Sequence, residues 1–460
     1  MTATITDDFK RQLSGNLKKT YDSGDTYYIC VGRSEQWNNT DTPPGVSLQD
    51  NLQSISYSRQ TRLSMQSAKR VFNLSYVIPR YNWQSGTIYQ AYDDTVTDVT
   101  DNTKYYVITQ LNQVYMCLRS GIDGAGNIIP SIVEPTGVSV NPFKTADGYF
   151  WKFMYTISVG DTDKYVTTKF MPVRYVDSAG PEDEATIIQQ KSIQDAATPQ
   201  QIVGYKVTNN GSASYVTPPT VTVVGNGTQA QARASIDNAG NLISVEVDSN
   251  GSGGWLFGTG YDYAEAIVDG LGECVPILGP PLGLGGDPTI DLRATRHMFN
   301  VRLINDETGT IIAGGQDFRQ MALLKNPLIY NHVGDSAYTA NTGIFLDGFK
   351  MSGLTGSFAI DDVITGTGIP TPRAVVDKYF DSAGIGYLTY HQNDSTGYSP
   401  FTGNMVVTSE GGASGTTLSS NREIFPDIDK FSGELIYIDN RTAVPRENVS
   451  QQDLKIVIRY

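Results

Sequence analysis

The sequence predicts a mainly β protein made of packed antiparallel sheets, and three observations carry that expectation. Many short segments alternate apolar and polar residues at strand period, helical spacing is confined to two stretches near the N-terminus, and Gly, Ser, Thr and Asn recur between the segments as turn formers. The clearest strand covers 149–157, where Tyr149, Trp151, Phe153, Tyr155 and Ile157 share one face and Lys152, Thr156 and Ser158 point to the other. Phe150 and Met154 also lie on that second face, which predicts that it is at least partly covered. Phe299, Val301 and Leu303 alternate likewise, as do Leu454, Ile456, Ile458 and Tyr460. Segments 26–31, 114–118, 318–324 and 435–438 complete a set that reads as antiparallel layers. The two helical stretches are short. Thr6 is placed to cap a helix with Phe9, Leu13 and Leu17 on its apolar face, weakened by Gly15. Ser47 with Asp50 resembles a capping box, and Leu48, Leu52 and Ile55 follow at helical spacing in a helix expected to run toward Lys69.

Bulk composition bounds the function. At 460 residues the chain exceeds one ordinary hydrophobic core, so several compact units are expected. An apolar fraction of 39%, with 27 Tyr and 16 Phe, supplies enough material to fold them. The net charge of −14 argues against a sequence-independent nucleic-acid binder, which needs a basic footprint. The three cysteines, Cys30, Cys117 and Cys274, are far apart, and the first two sit in apolar runs, so they read as buried free thiols of a reducing compartment. The first ten residues lack a basic region followed by an apolar one, so no secretory signal is expected. The most apolar stretch, 264–286, is broken by Glu265, Asp269, Glu273 and several Gly and Pro, so no membrane insertion is expected either.

Two segments differ in texture, and each holds a weak internal repeat. Val207-Thr208-Asn209-Asn210-Gly211-Ser212 returns as Val247-Asp248-Ser249-Asn250-Gly251-Ser252, each followed by a Tyr, Tyr215 and Tyr261. A spacing of about 40 residues suits a duplicated unit of short strands. Phe358-Ala359-Ile360-Asp361-Asp362-Val363-Ile364-Thr365 is echoed by Phe401-Thr402-Gly403-Asn404-Met405-Val406-Val407-Thr408. The organisation expected is a core in three parts, 1–184, 289–353 and 421–460, interrupted by small all-β insertions at 185–288 and 354–420.

Chemistry is sparse in the sequence. His297, His332 and His391 stand in three different settings, none with a second His or Cys at zinc-ligand spacing, and each reads as a surface or structural residue. Gly412-Ala413-Ser414-Gly415-Thr416 fails the nucleophile-elbow pattern at its last position, and Gly366-Thr367-Gly368-Ile369-Pro370-Thr371 lacks the third Gly of a dinucleotide loop. Asp248, Asn250 and Gly251 lack the acidic ladder of a calcium loop and read as a hairpin turn. Asp93-Asp94, Asp361-Asp362 and Glu182-Asp183-Glu184 read as solvated loops, because sequence neighbours do not face one another across a substrate. No catalytic residue, cofactor or metal is expected.

Two aromatic blocks stand out instead: Gly32-Arg33-Ser34-Glu35-Gln36-Trp37 and Val77-Ile78-Pro79-Arg80-Tyr81-Asn82-Trp83. Each sets an Arg within four residues of a Trp, and Arg both stacks on aromatic faces and donates several directed hydrogen bonds. Arg33, Trp37, Arg80, Tyr81 and Trp83 are therefore the candidate anchors, of a partner interface or of the fold. Later blocks continue the series: Asp147-Gly148-Tyr149 with Trp151, Phe318-Arg319-Gln320, Lys325-Asn326-Pro327-Leu328, and Ser432-Gly433-Glu434 with Ile436, Tyr437, Asn440 and Arg441. Taken in this order, the chain resembles the baseplate wedge subunits of T4-type contractile-tailed bacteriophages, the products of gene eight. The resemblance covers about 1–180, 289–352 and 421–460, and it skips the two segments already set apart by texture.

The resemblance implies a layered antiparallel β-sandwich core with a few helix-bearing loops and no catalytic residues to carry over. It implies a structural protein assembled in the host cytoplasm and retained in the virion baseplate. There it would act as a homodimer, linking other wedge proteins during tail assembly and through the rearrangement that accompanies sheath contraction and genome ejection. The insertions depart from the shorter family members. The competing expectation is a receptor- or carbohydrate-binding module of a tail fibre, to which the Gly, Ser and Tyr-rich repeats would belong.

Overall fold

The computed structural model describes residues 6–46, 52–96, 104–252, 254–304, 317–331, 336–445 and 451–460. Its architecture is mainly β, with multiple antiparallel sheets. Two compact units share the chain discontinuously: residues 1–16, 75–298 and 457–460 form the first, and 17–74 and 299–456 form the second.

In the first unit, strands Tyr106–Ile108, Gln113–Arg119, Phe150–Thr156 and Phe143–Lys144 form one sheet. A second sheet of six strands lies between Ile202 and Leu278. Met116, Phe150 and Met154 from the first sheet and Ile202, Val245 and Ile277 from the second belong to one buried cluster, so the two sheets pack face to face as a sandwich. Residues 185–288 thus contribute a layer to a shared core. Phe150–Thr156 is central, and it buries both faces. Trp151 and Phe153 pack with Tyr89, Tyr115 and Tyr149 on one side, while Phe150 and Met154 face the six-stranded sheet on the other. Lys152 is carried inward with them, its ammonium donating to the Val140 carbonyl at 2.5 Å, and burial depresses its pKa to about 8.

The first repeat has a local cause. Asn210 and Asn250 each accept a hydrogen bond from the backbone N–H two residues on, at 3.0 Å from Ser212 and 2.9 Å from Ser252, and Gly211 and Gly251 follow with φ of 75° and 74°. Both copies are the same Asx turn, closing a strand at Asn210 and a bridge beside Val247.

In the second unit, a five-stranded sheet runs in the order Thr342–Ile344, Met65–Arg70, Tyr27–Gly32, Phe318–Lys325, Glu434–Val444. Its core gathers Tyr28, Cys30, Met65, Ala322, Leu324 and Phe345. A second sheet runs Ile385–His391, Arg373–Ser382, Val363–Gly366, Val406–Ser409, Ser414–Thr417, Asp347–Thr355, Glu423–Ile424. Ile385–His391 also pairs with Asp347–Thr355, so six of these strands close into a small barrel that leaves few exposed edges. Phe349, Met351, Ile364, Val376, Leu388, Phe401 and Val407 fill it. The second repeat maps onto this barrel: Phe358 and Phe401 both enter its core, and Val363–Gly366 and Val406–Ser409 are direct neighbours.

The helices depart from expectation in three ways, and the first is that Val159–Tyr165, Ala185–Asp195 and Pro288–Asp291 are helical outside the two predicted stretches, Ala185–Asp195 opening the segment expected to be all-β. Thr6 does cap Asp7–Asp22, its hydroxyl accepting from the Phe9 N–H at 3.3 Å, but Phe9 and Leu13 are exposed and the buried position is Ser14. Ser14 is selected because its hydroxyl meets Nδ1 of the buried His297 at 3.2 Å, a polar contact that outranks the apolar stripe locally. Ser47, Leu48 and Asp50 lie outside the described residues. The second helix is Leu52–Ser64, and it stops short of Lys69 because Met65–Arg70 is the neighbour of Tyr27–Gly32 in the sheet. All three cysteines are buried free thiols. No described helix is long and apolar enough to cross a membrane.

Candidate functional site

In the second unit, four of the sequence blocks meet because three of them lie on the neighbouring strands Tyr27–Gly32, Phe318–Lys325 and Glu434–Val444. At Gly32 the register slips, and a Cβ there would stand 2.2 Å from the Ser64 carbonyl oxygen and 2.8 Å from Met65 Cα. Glycine is required by that backbone approach, and it turns the chain into Arg33, held in the left-handed region at φ 59°. Arg33 then lays its guanidinium 4.0 Å over the Trp37 ring, whose indole N–H donates to the Arg441 carbonyl at 2.9 Å. Arg319 is buried beneath, its Nε 2.9 Å from both oxygens of Asp41 and its Nη1 donating to the Ser34 carbonyl. Gln320 links Ser64 at 2.7 Å to Asn440 at 2.8 Å. Asn326 accepts from the Thr26 N–H at 2.8 Å, and Ser432 accepts from the Leu328 N–H at 2.8 Å. Arg62 donates to the carbonyls of Lys430, Ser432 and Gly433. A Gly32→Ala variant is expected to lose about 1–3 kcal/mol, the usual cost of overpacking a fixed backbone, measurable by urea unfolding.

Glu35 extends this node to the barrel. Asp377 is the extra residue of a bulge in Arg373–Ser382, where Val376 pairs with Tyr390 and Lys378 with Thr389, so its carboxylate turns inward. His391 lies between the two carboxylates, with Nδ1 2.9 Å from both Asp377 oxygens and Nε2 2.6 Å from Glu35 Oε1. Gln66 donates to Asp377 at 2.5 Å, and Asn393 donates to Glu35. Burial opposes the imidazolium, but Asp377 and Glu35 push its pKa up to about 10. Burial would likewise raise Glu35, yet the hydrogen bond and charge of His391 bring it down to about 2. Asp377 is raised, its burial only partly offset by His391. Both ring nitrogens are engaged and the ring is 2% exposed, so at neutral pH this is a cationic clamp and not a proton-accepting base.

In the first unit the other blocks form a second node. Trp83 donates its indole N–H to Ser131 at 3.2 Å, and Ser131 donates to Asp147 at 2.9 Å. Asp147 also accepts from the Ile132 and Val133 N–H groups at 2.8 and 3.0 Å. Tyr149 stacks on Trp151 with centroids 5.6 Å apart, and Tyr89 meets Trp151 edge-on at 5.7 Å. Arg80 donates to the Thr167 carbonyl at 3.0 Å and to Asn82 at 2.8 Å, while the Tyr81 ring lies 5.3 Å from that of Tyr106.

No protein-family model and no curated protein matches this chain.

Arg33, Trp37, Arg80, Tyr81 and Trp83 are each half-buried, and each holds a partner within its own unit. The structure brings Arg33 together with Trp37 in one node; Arg80, Tyr81 and Trp83 lie in the other unit. His391, which the sequence groups with surface or structural histidines, is buried between two carboxylates; His297 is fully buried, and His332 lies outside the described residues. Glu182, Asp183 and Glu184 are exposed, whereas Asp93 is half-buried, bonding Thr95 and Lys206. The Asp93 and Val96 carbonyls moreover accept from Arg293, so the Asp93-Asp94 loop is tied down, contrary to the solvated loop expected there. The Glu35–His391–Asp377 clamp was missed. Its one sequence signal is a carboxylate in the apolar run Ala374-Val375-Val376-Asp377, a place where an unpaired charge is too costly to bury.

Proposed function

We propose that this chain is a structural subunit of the baseplate wedge of a contractile phage tail, working through rigid interfaces and not through catalysis. The observation that carries the reading is the fate of the sequence blocks. All six residue series that resemble the gene-eight wedge subunits belong to two nodes, one in each unit, where they tie strands and loops together. A set of short blocks scattered over the chain and gathered in two load-spreading nodes fits a scaffold that must hold its shape while neighbours move. In this reading the subunit is a homodimer, contacts other wedge proteins, and remains in the virion after assembly in the host cytoplasm.

Removing the chain from an infection tests the role. A wedge subunit is needed to build the tail, so its absence is expected to give heads without complete tails in negative-stain micrographs. A fibre module is not, so complete contractile tails that fail to adsorb would favour the receptor-binding alternative. Light scattering on the purified chain is expected to give a dimer mass, and a trimer would point the same way as the adsorption defect.

A further inference from the structure

Three Asn-Gly pairs lie in the first unit, at 210–211, 226–227 and 250–251, and in each the Gly backbone nitrogen follows a side-chain amide that it can attack. The attack needs the Asn-Gly peptide to pivot until that nitrogen meets Cγ, and Gly has no Cβ to hinder the approach. Surroundings decide which pair has that freedom. Gly211 is buried beneath Tyr215, whose ring stands 2.5 Å from where a Cβ would be, and its N–H donates to the Asn209 side-chain oxygen at 3.0 Å. Gly227 is hemmed in by the Tyr261 ring and the Thr259 carbonyl, 2.5 and 2.6 Å from its own Cβ position. Asn226 is pinned at both ends, Oδ1 accepting from the Asp262 N–H at 3.0 Å and Nδ2 donating to the Asp262 carboxylate at 3.2 Å. Asn250 and Gly251 are exposed, and among the described residues nothing lies within 4 Å of the Cβ position on Gly251. Asn250 Oδ1 accepts from two backbone N–H groups, of Ser252 at 2.9 Å and of Gly254 at 3.0 Å.

We infer that Asn250 is a site of self-catalysed deamidation, selected by the fold from the three Asn-Gly pairs. Hydroxide removes the Gly251 N–H proton, and the nitrogen attacks Cγ of Asn250 to form a C–N bond. Negative charge then gathers on Oδ1, where the Ser252 and Gly254 N–H groups already point, and donors so placed stabilise an oxyanion. Its collapse breaks the Cγ–Nδ2 bond, and the amide leaves as ammonia after taking a proton from water. Water opens the resulting succinimide at either carbonyl, giving aspartate or isoaspartate with no oxidation or reduction. Each product adds a negative charge two residues from Asp248, and isoaspartate reroutes the main chain through the side-chain carbon, which undoes the turn. This inference rests on the turn alone and stands whether or not the chain is a wedge subunit.

The test follows the full chain by peptide mass spectrometry during incubation in mildly alkaline, oxygen-labelled water, once folded and once in urea. Label taken up from that water separates conversion during incubation from conversion during digestion. In urea the three pairs are expected to react alike, because local sequence then sets the rate. In the folded chain Asn250 should keep close to its urea rate, while Asn210 and Asn226 should be slowed roughly tenfold or more. Both aspartate and isoaspartate should form at Asn250. The same folded-to-urea ratio at all three pairs, faster conversion of Asn210 or Asn226 than of Asn250 in the folded chain, or aspartate without isoaspartate at Asn250 would overturn the proposal.

Discussion

A His391→Ala variant is expected to lose about 3–5 kcal/mol of stability in the second unit, because it leaves the buried Asp377 and the half-buried Glu35 as carboxylates with no cation between them. The geometry makes the loss large: Asp377 is 1% exposed, and both ring nitrogens of His391 are within hydrogen-bond distance of carboxylate oxygens. The pH dependence identifies the cause. A histidine whose folded pKa stands at about 10 against an ordinary 6.5 contributes fully below pH 6.5 and loses that contribution as pH rises toward 10. Glu35 runs the other way, contributing fully above 4.5 and losing it as pH falls toward 2. Asp377, raised by burial, favours its protonated form in acid and so makes the acid limb shallower. Urea unfolding of the wild type should therefore be most stable between about pH 4.5 and 6.5 and should weaken on the alkaline side. His391→Ala should remove the alkaline slope, and an unchanged slope would assign it to other groups.

The second large effect is expected in the first unit, where Trp151→Ala should cost about 3–5 kcal/mol. Trp151 is fully buried, stacked on Tyr149 and met edge-on by Tyr89, and its strand is the one that buries both faces. Removing the indole leaves a cavity that the rigid aromatic neighbours cannot collapse into. Trp151→Phe keeps part of the ring contact and should cost less than half as much. Tyrosine fluorescence and near-ultraviolet circular dichroism during denaturant unfolding report the transition, and a Trp151→Ala variant with wild-type midpoint would show that this node does not hold the unit together.

The β architecture was legible because strand alternation is local. Tyr149, Trp151, Phe153 and Tyr155 announce their strand without reference to any other residue, and the duplicated Asn-Gly turns at 210–211 and 250–251 announce theirs. Arg33, Trp37, Arg80, Tyr81 and Trp83 were legible as residue types that can stack and donate directed hydrogen bonds. What they anchor was not, because Trp37 finds its acceptor 404 residues away at Arg441. Glu35 and His391, 356 residues apart, meet only where the loop after Tyr27–Gly32 reaches the barrel strand Ile385–His391, which no local pattern encodes. The first helix was misread for a related reason. Phe9, Leu13 and Leu17 form a correct local stripe, but the buried position is decided by His297, which the stripe cannot anticipate. Lys152 is the same case in a strand: alternation gives its face, and Phe150 and Met154 on that face predict a cover, but no local pattern says that the six-stranded sheet supplies it.

Cross-linking mass spectrometry on intact phage particles that contain this chain tests the wedge reading most directly. The expected result is a set of cross-links from its surface lysines to at least one other baseplate protein and to a second copy of itself. Particles in which this chain cross-links to no other baseplate protein would contradict the assignment.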